Sequence, residues 1–374
     1  MKQMTGYLII LVLITASAAV AGDTSTLSGV SRTLNPAISV NGLMRAQVAD
    51  KNTSAEMNGF QMDGVEAQFT AMVDPFWKAN VILGLHPVHA EEDDAHGHAT
   101  TYEMGIEEAV VENRSMSAGL GLKAGRFRLP FGKSLPLHMH QYAFADAPLG
   151  LTSFFGDHSP TENGVQIMAD VPLPWYSDLN LYGVSGESEA FDAANKDLAY
   201  GARLTNLWDV TDDASLELSG SWLHGQDGRH PGESQDVDFL GVDLTWKWVS
   251  STRTGGPAVT VTGEVLFPQY QEGPTDPVGW YALAQYRFSR NWWLGAGLGQ
   301  AKAEMGLDDD PDLHAHGFDG DLREYKLNLT FAPSEFSFVR GEVGRYKDQI
   351  TGEDDTRAIL QVNFTIGSHP AHMY

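Results

Sequence analysis

Cysteine is absent from all 374 positions. Its absence excludes a disulfide scaffold, a thiolate metal site, a cysteine nucleophile and covalent haem attachment. Basic residues are scarce: 24 Lys and Arg stand against 49 Asp and Glu, giving a formal charge of −25 and a pI near 4.7. Affinity for nucleic acid rests on Lys and Arg neutralising phosphates, so nucleic acid is excluded as a partner. Beyond the first residues no stretch approaches the about 20 consecutive apolar residues of a membrane helix. What is abundant is aromatic: 9 Trp, 12 Tyr and 17 Phe in a chain that is 42% hydrophobic, which excludes wholesale disorder.

The start of the chain has the form of a removable export signal. Lys2 supplies a short basic segment, residues 7–14 (YLIILVLI) an apolar core, and Ala19-Val20-Ala21 a small-x-small site with cleavage expected before Gly22. Residues 1–21 are therefore read as signal peptide, 22–33 as an N-terminal periplasmic segment and 34–374 as the folded unit. Export without an apolar helix leaves a periplasmic enzyme, a secreted protein or an outer-membrane barrel.

Periodicity separates these. In DFLGVDLTWKWV (238–249), Leu240, Val242, Leu244, Trp246 and Trp248 alternate with Phe239, Gly241, Asp243, Thr245 and Lys247. REYKLNLTF (323–331) and AILQVNFTIG (358–367) alternate in the same way. Period two places one apolar and one polar face on a strand. Many of these segments run 10 to 14 residues, near the ~9–11 tilted residues that cross a bilayer and longer than the roughly 5–6 usual in soluble sheets. Sixteen such segments are expected, from 34–48 to 354–367, an even number as bacterial single-chain barrels require. The segment 335–347 breaks phase near Val339 and Arg340, where a bulge or a misassigned strand is expected.

Two independent patterns agree. Even-numbered joins are short (Asp74-Pro75, Ser115-Met116, Ser289-Arg290, Pro333-Ser334), whereas odd-numbered joins include 89–100, 128–161, 226–236 and 304–320; outer-membrane barrels alternate short inner turns with long outer loops. Trp77, Trp175, Trp208, Trp246, Trp248, Trp292 and Trp293 fall at periplasmic strand ends, and Trp222 and Trp280 near the outer rim, as aromatic girdles do. The expected fold is all-β: a transmembrane antiparallel β-barrel of about 16 strands, set in outer-membrane lipid of a Gram-negative bacterium.

The third outer join, 128–161, is the longest and is rich in Leu and aromatics. A loop of that length is functional or disordered, and this composition points to an ordered loop folded into the barrel. Lys123, Arg126, Arg128 and Lys133 cluster just before it, with Asp146, Asp157, Glu107 and Glu108 supplying opposite charge. Basic and acidic walls facing each other would favour small polar solutes at a pore constriction; ordinary ion pairs of a polar interior are the alternative.

The runs EEAVVENR, LGLKAGRFRLPFG and HMHQYAFADAPL, the opening Asn35 to Ser39 and the ending NFTIGSHPAHMY resemble a broad family of Gram-negative outer-membrane porin-like barrels related to the phosphate-selective porins. The resemblance implies a β-barrel channel or receptor. Phosphate selectivity does not carry over, because the expected ladder of basic lumen residues has no counterpart in so acidic a chain.

Thirteen histidines gather in a few segments. His89, His96 and His98 lie among acids in the second outer loop, His138 and His140 in the third, and His314 and His316 in the seventh. An H-x-H pair on an extended segment presents both imidazoles to one side, and nearby carboxylates can complete a zinc shell; imidazole also suits Cu and Ni. No G-x-S-x-G, H-E-x-x-H, phosphate loop or EF-hand spacing occurs, so no enzymatic activity and no cofactor are expected. The resulting expectation is a porin passing small hydrophilic solutes or ions, cation-preferring from its charge. The alternatives are a metal-binding or metal-uptake barrel using zinc or another divalent cation, and a structural sheath for a membrane-crossing partner. Oligomeric state stays open, a homotrimer among the options.

Overall fold

The computed structural model describes residues 36–50, 58–88, 101–156, 159–188, 190–191, 197–227, 235–251, 255–271, 275–304, 320–348 and 352–367. The expected signal peptide and the 22–33 segment lie outside the described residues. Sixteen strands follow one another: β1 (Ala37–Ala49), β2 (Gly59–Met72), β3 (Lys78–Val88), β4 (Thr101–Asn113), β5 (Leu120–Arg128), β6 (Thr161–Asp170), β7 (Tyr176–Val184) and β8 (Ala199–Thr211). They continue as β9 (Ala214–Gln226), β10 (Asp236–Val249), β11 (Ala258–Tyr270), β12 (Thr275–Ser289), β13 (Trp292–Glu304), β14 (Gly320–Ser334), β15 (Ser337–Asp348) and β16 (Glu353–Gly367). A seven-residue helix, α1 (Leu149–Phe155), lies in the loop between β5 and β6. Each strand pairs antiparallel with the next, and β1 closes on β16 from Ser39 opposite Gly367 to Ala49 opposite Arg357. Closure removes the two unpaired edges that an open sheet would expose.

Burial is inverted relative to a water-soluble sheet. Along β14, Glu324, Lys326 and Asn328 are at most 4% exposed, while Tyr325, Leu327 and Leu329 between them are 42–62% exposed. In β10, Asp243 is buried and Leu240, Val242 and Leu244 face outward. Apolar groups outside and polar groups inside are what a lipid-embedded barrel requires. Most even-numbered joins, such as 212–213 and 290–291, are short, that between β10 and β11 (250–257) being the longest of them, and they share one rim. The irregularity expected near Val339 and Arg340 lies directly before them: β15 pairs continuously with β14 from Val339 to Asp348, with Val339 outward and Arg340 inward. Its register shift sits between Phe331 and Ser334, at the short turn. Gly341 and Arg345 on the outward face blur the alternation without breaking it.

Two bulges shape the wall beside β3. Leu43 pairs with Gly64 and Met44 with Met62, leaving Asp63 as an extra residue in β2. Ile82 pairs with Glu108 and Leu83 with Ile106, leaving Glu107 extra in β4. A bulged residue re-aims its side chain, and both Glu107 and Glu108 reach His138 on the lumen side.

Residues 129–156 cross the interior. Their hydrogen bonds reach Ser221 and Glu217 of β9, Glu264 of β11, Glu324 of β14, Glu342 of β15 and Arg45 of β1. Partners spread so far around one closed barrel put the loop in the lumen. Helix α1 lies flat on β12: a Cβ at Gly150 would meet the Trp280 backbone, and one at Gly279 the Gly150 carbonyl. Only glycine permits this approach of backbone to backbone.

Candidate functional site

The loop meets one arc of the wall through apolar packing. Phe131, Leu151 and Phe155 of the loop join Leu223 of β9, Phe239 of β10 and Leu266 of β11, all essentially inaccessible. The Phe155 ring lies 4.7 Å from Phe239 and 5.5 Å from Phe131, tilted in both pairs. At this end Lys133 Nζ pairs with Glu217 at 2.8 Å, and its backbone N–H donates to Glu264 at 3.0 Å.

A second arc mixes both signs and holds the loop through two arginines and two carboxylates. Arg45 of β1 donates through Nε to Asp63 (2.6 Å) and through Nη2 to Asp146 of the loop (2.7 Å). Arg340 of β15 donates to the Tyr142 carbonyl (2.9 Å) and to Gln361 (3.0 Å). The loop backbone is held further by Glu342, which accepts from Ala145 N–H, and by Asn328, which donates to the Ala143 carbonyl, both at 2.9 Å. Burial raises the Asp146 carboxyl, but the positive charges of Arg45, Lys326 and Arg357 outweigh it and lower it to about 2.

A third arc is acidic, and here the loop presents histidines. His138 Nδ1 lies 3.0 Å from Glu107 and 3.4 Å from Glu66, and its Nε2 lies 3.6 Å from Glu108. His140 Nδ1 is 2.9 Å from the other oxygen of Glu66. Glu107 is also held by Arg128 Nη2 and His86 Nε2, each at 2.6 Å. A Cβ at Gly84 would collide with both Glu107 and His86, so the glycine leaves room for that pair. Burial and Arg128 push the His138 imidazolium down, but Glu66, Glu107 and Glu108 more than offset them and hold it well above the usual histidine range. The loop thus brings a carboxylate to Arg45 and imidazoles to the acidic arc.

The expected basic cluster is not one group. Arg128 joins the histidine arc, Lys133 extends toward β9, and Arg126 donates to the Ile106 carbonyl. Lys123 lies opposite Glu112 in the strand register, with its Nζ 5.5 Å from the centre of the Phe127 ring. Strand alternation and the cross-lumen path of the loop pull apart residues that are near in sequence. Asp146 does meet a base, but it is Arg45, about which local sequence says nothing. Glu107, Glu108, His138 and His140 are brought together, with His86, one of the histidines the sequence places at the second outer loop, and Glu66, which sequence reasoning did not single out, as partners. The H-x-H pair sits on a tight 3-10 turn, Met139–Gln141, rather than an extended segment, yet its rings are 5.9 Å apart and both reach Glu66. Asp157, His89, His96, His98, His314 and His316 lie outside the described residues.

No family model matches the chain. An uncharacterized protein of Aquifex aeolicus strain VF5 is 27% identical over 362 residues, covering 85% of this chain and 71% of that protein. Three solved structures share the architecture. OprB of Pseudomonas putida aligns over 89% of this chain and 94% of its own, with TM-score 0.57 and 8% identity. An anion-selective porin from Comamonas acidovorans aligns over 89% and 100%, with TM-score 0.56 and 11% identity. The outer membrane channel DcaP of Acinetobacter baumannii aligns over 93% and 100%, with TM-score 0.55 and 12% identity. At such identities the likeness is one of fold, and function is argued from the site.

Proposed function

We propose that the chain is an outer-membrane channel of a Gram-negative bacterium, giving passive diffusion to small hydrophilic solutes without a chemical step. The observation that carries this reading is the inside-out barrel: sixteen closed strands with an apolar exterior and a polar, charge-lined lumen, crossed by one loop. A pore built this way selects by size and charge rather than by chemistry. The likeness to porin-type barrels supports the same reading at the level of fold.

We further propose that the channel prefers cations. The chain carries a charge of −25, and acid runs such as Glu91 to Asp94 and Asp308 to Asp310 fall in the sequence between β3 and β4 and between β13 and β14, two of the long joins. A negative vestibule concentrates cations and repels anions. The lumen bases Arg45, Arg128, Arg203 and Lys326 are each paired with a carboxylate, which reduces their pull on a passing anion. The test is a reversal potential in a planar bilayer under a KCl gradient. Cation selectivity is expected at about 0.1 M and should weaken toward about 1 M, as the screening length falls from about 10 to about 3 Å. Anion selectivity at low salt would overturn the preference.

A further inference from the structure

We propose that Glu66, Glu107, Glu108, His138 and His140 form a divalent-cation site, zinc being the best match, that fastens the third outer loop to the wall at β2 and β4. One ligand atom from each of Glu66, Glu107 and His138 falls within 4.8 Å of the other two, a spread that small side-chain shifts close around one ion with ~2.0–2.2 Å bonds. His140 and Glu108 stand next to the same group, through Glu66 at 2.9 Å and His138 at 3.6 Å. The donor set is mixed nitrogen and oxygen. Calcium and magnesium take oxygen, whereas two imidazoles with carboxylates suit zinc, with copper and nickel as competitors.

Charge argues the same way. The side chains of Glu66, Glu107 and His138 are at most 10% exposed, so their charges are compensated within the protein. Three carboxylates face the guanidinium of Arg128 and the ammonium of Lys123, which acts on Glu108, so negative charge remains in excess for a cation when the imidazoles are neutral. Imidazole ligates in that neutral form. The surroundings are built to hold the ligands. Arg128 and His86 hold the two oxygens of the Glu107 carboxylate, as hydrogen-bonded partners do around metal ligands, and Arg128 Nη2 also lies 3.3 Å from His138 Nδ1. The bulge at Glu107 brings two successive acids to one face, and Gly84 makes room for His86. A short sequence span cannot supply this set: the wall gives the carboxylates and the loop gives the imidazoles, so binding ties the two together.

The test is zinc titration of the full chain refolded in detergent, followed by calorimetry, with ion content read by mass spectrometry after dialysis. This readout is independent of conductance, so failure here leaves the channel reading standing. Because outer-loop histidines also take up zinc, two double variants are compared: His138→Ala with His140→Ala, and His314→Ala with His316→Ala. The first should lose one equivalent, or weaken it by at least about tenfold, and the second should keep it. Zinc should also slow proteolysis within 129–160 in the parent protein and not in the first variant. Glu107→Gln serves as a second probe, with folding of every variant checked by heat-dependent gel mobility. Equal zinc uptake by the parent, the first double variant and Glu107→Gln would overturn the site, as would loss of the equivalent in the His314/His316 variant alone.

Discussion

Toward β9–β11 the third outer loop buries rings beside a single ion pair, Lys133 to Glu217, and toward β14, β15, β1, β2 and β4 its contacts are mainly charged or polar. The two contacts obey different physics. Phe131 and Phe155 against Phe239 and Leu266 gain from area removed from water, about 1.5–3 kcal/mol per large side chain, with little demand on direction. Arg45 to Asp146, Arg340 to Tyr142 and His140 to Glu66 depend on distance and pairing, and a buried charge without its partner costs more than the pair gains. The comparison assigns separate tasks. Apolar packing holds the loop inside the barrel, and the charged contacts set where its chain lies across the lumen.

The largest expected effect comes from breaking the apolar half. Phe155→Ala should remove about 3–5 kcal/mol from the loop's attachment while the strands stay paired. Limited proteolysis should then cut within 129–160 as the barrel keeps its heat-dependent mobility. A loop as resistant as the parent's would show that packing is not what holds it in.

A smaller effect is expected on the charged half. Arg45→Gln leaves Asp63 and Asp146 without their guanidinium, and since Asp146 is about a third exposed, solvent softens the loss to about 1–3 kcal/mol. Acid should act through the same contact. The Asp146 carboxyl is lowered to about 2, against about 3.9 for a free aspartate. A depressed folded-state value contributes stability that is complete above the unfolded one and lost as pH falls toward the folded one. Pepsin should therefore find the loop near Asp146 protected at pH 4 and exposed toward pH 2. In Arg45→Gln that exposure should begin at higher pH; an unchanged profile would separate Asp146 from Arg45.

The barrel was legible because lipid imposes period two over long segments. The lumen was less so, for three physical reasons. Bulges invert parity: strict alternation puts Glu107 and Glu108 on opposite faces, and the extra residue in β4 puts both inside. Pairing across a closed barrel ignores sequence distance, so Arg45 and Asp146 meet from 101 positions apart. Local basic clustering also misleads in a strand, where Arg126 and Arg128 find unrelated partners. The H-x-H pair was readable because two histidines two positions apart carry their own signal, whereas its partner Glu66 is one of many strand acids.

The central claim is that a loop anchored by packing and set by charge narrows, without sealing, a diffusion path through the barrel. Liposome swelling with uncharged solutes of graded size tests it most directly. Proteoliposomes of the folded chain should swell quickly in small sugars and progressively more slowly as size rises, and Phe155→Ala should admit larger solutes. No swelling with any solute, by parent and Phe155→Ala alike, would contradict the account.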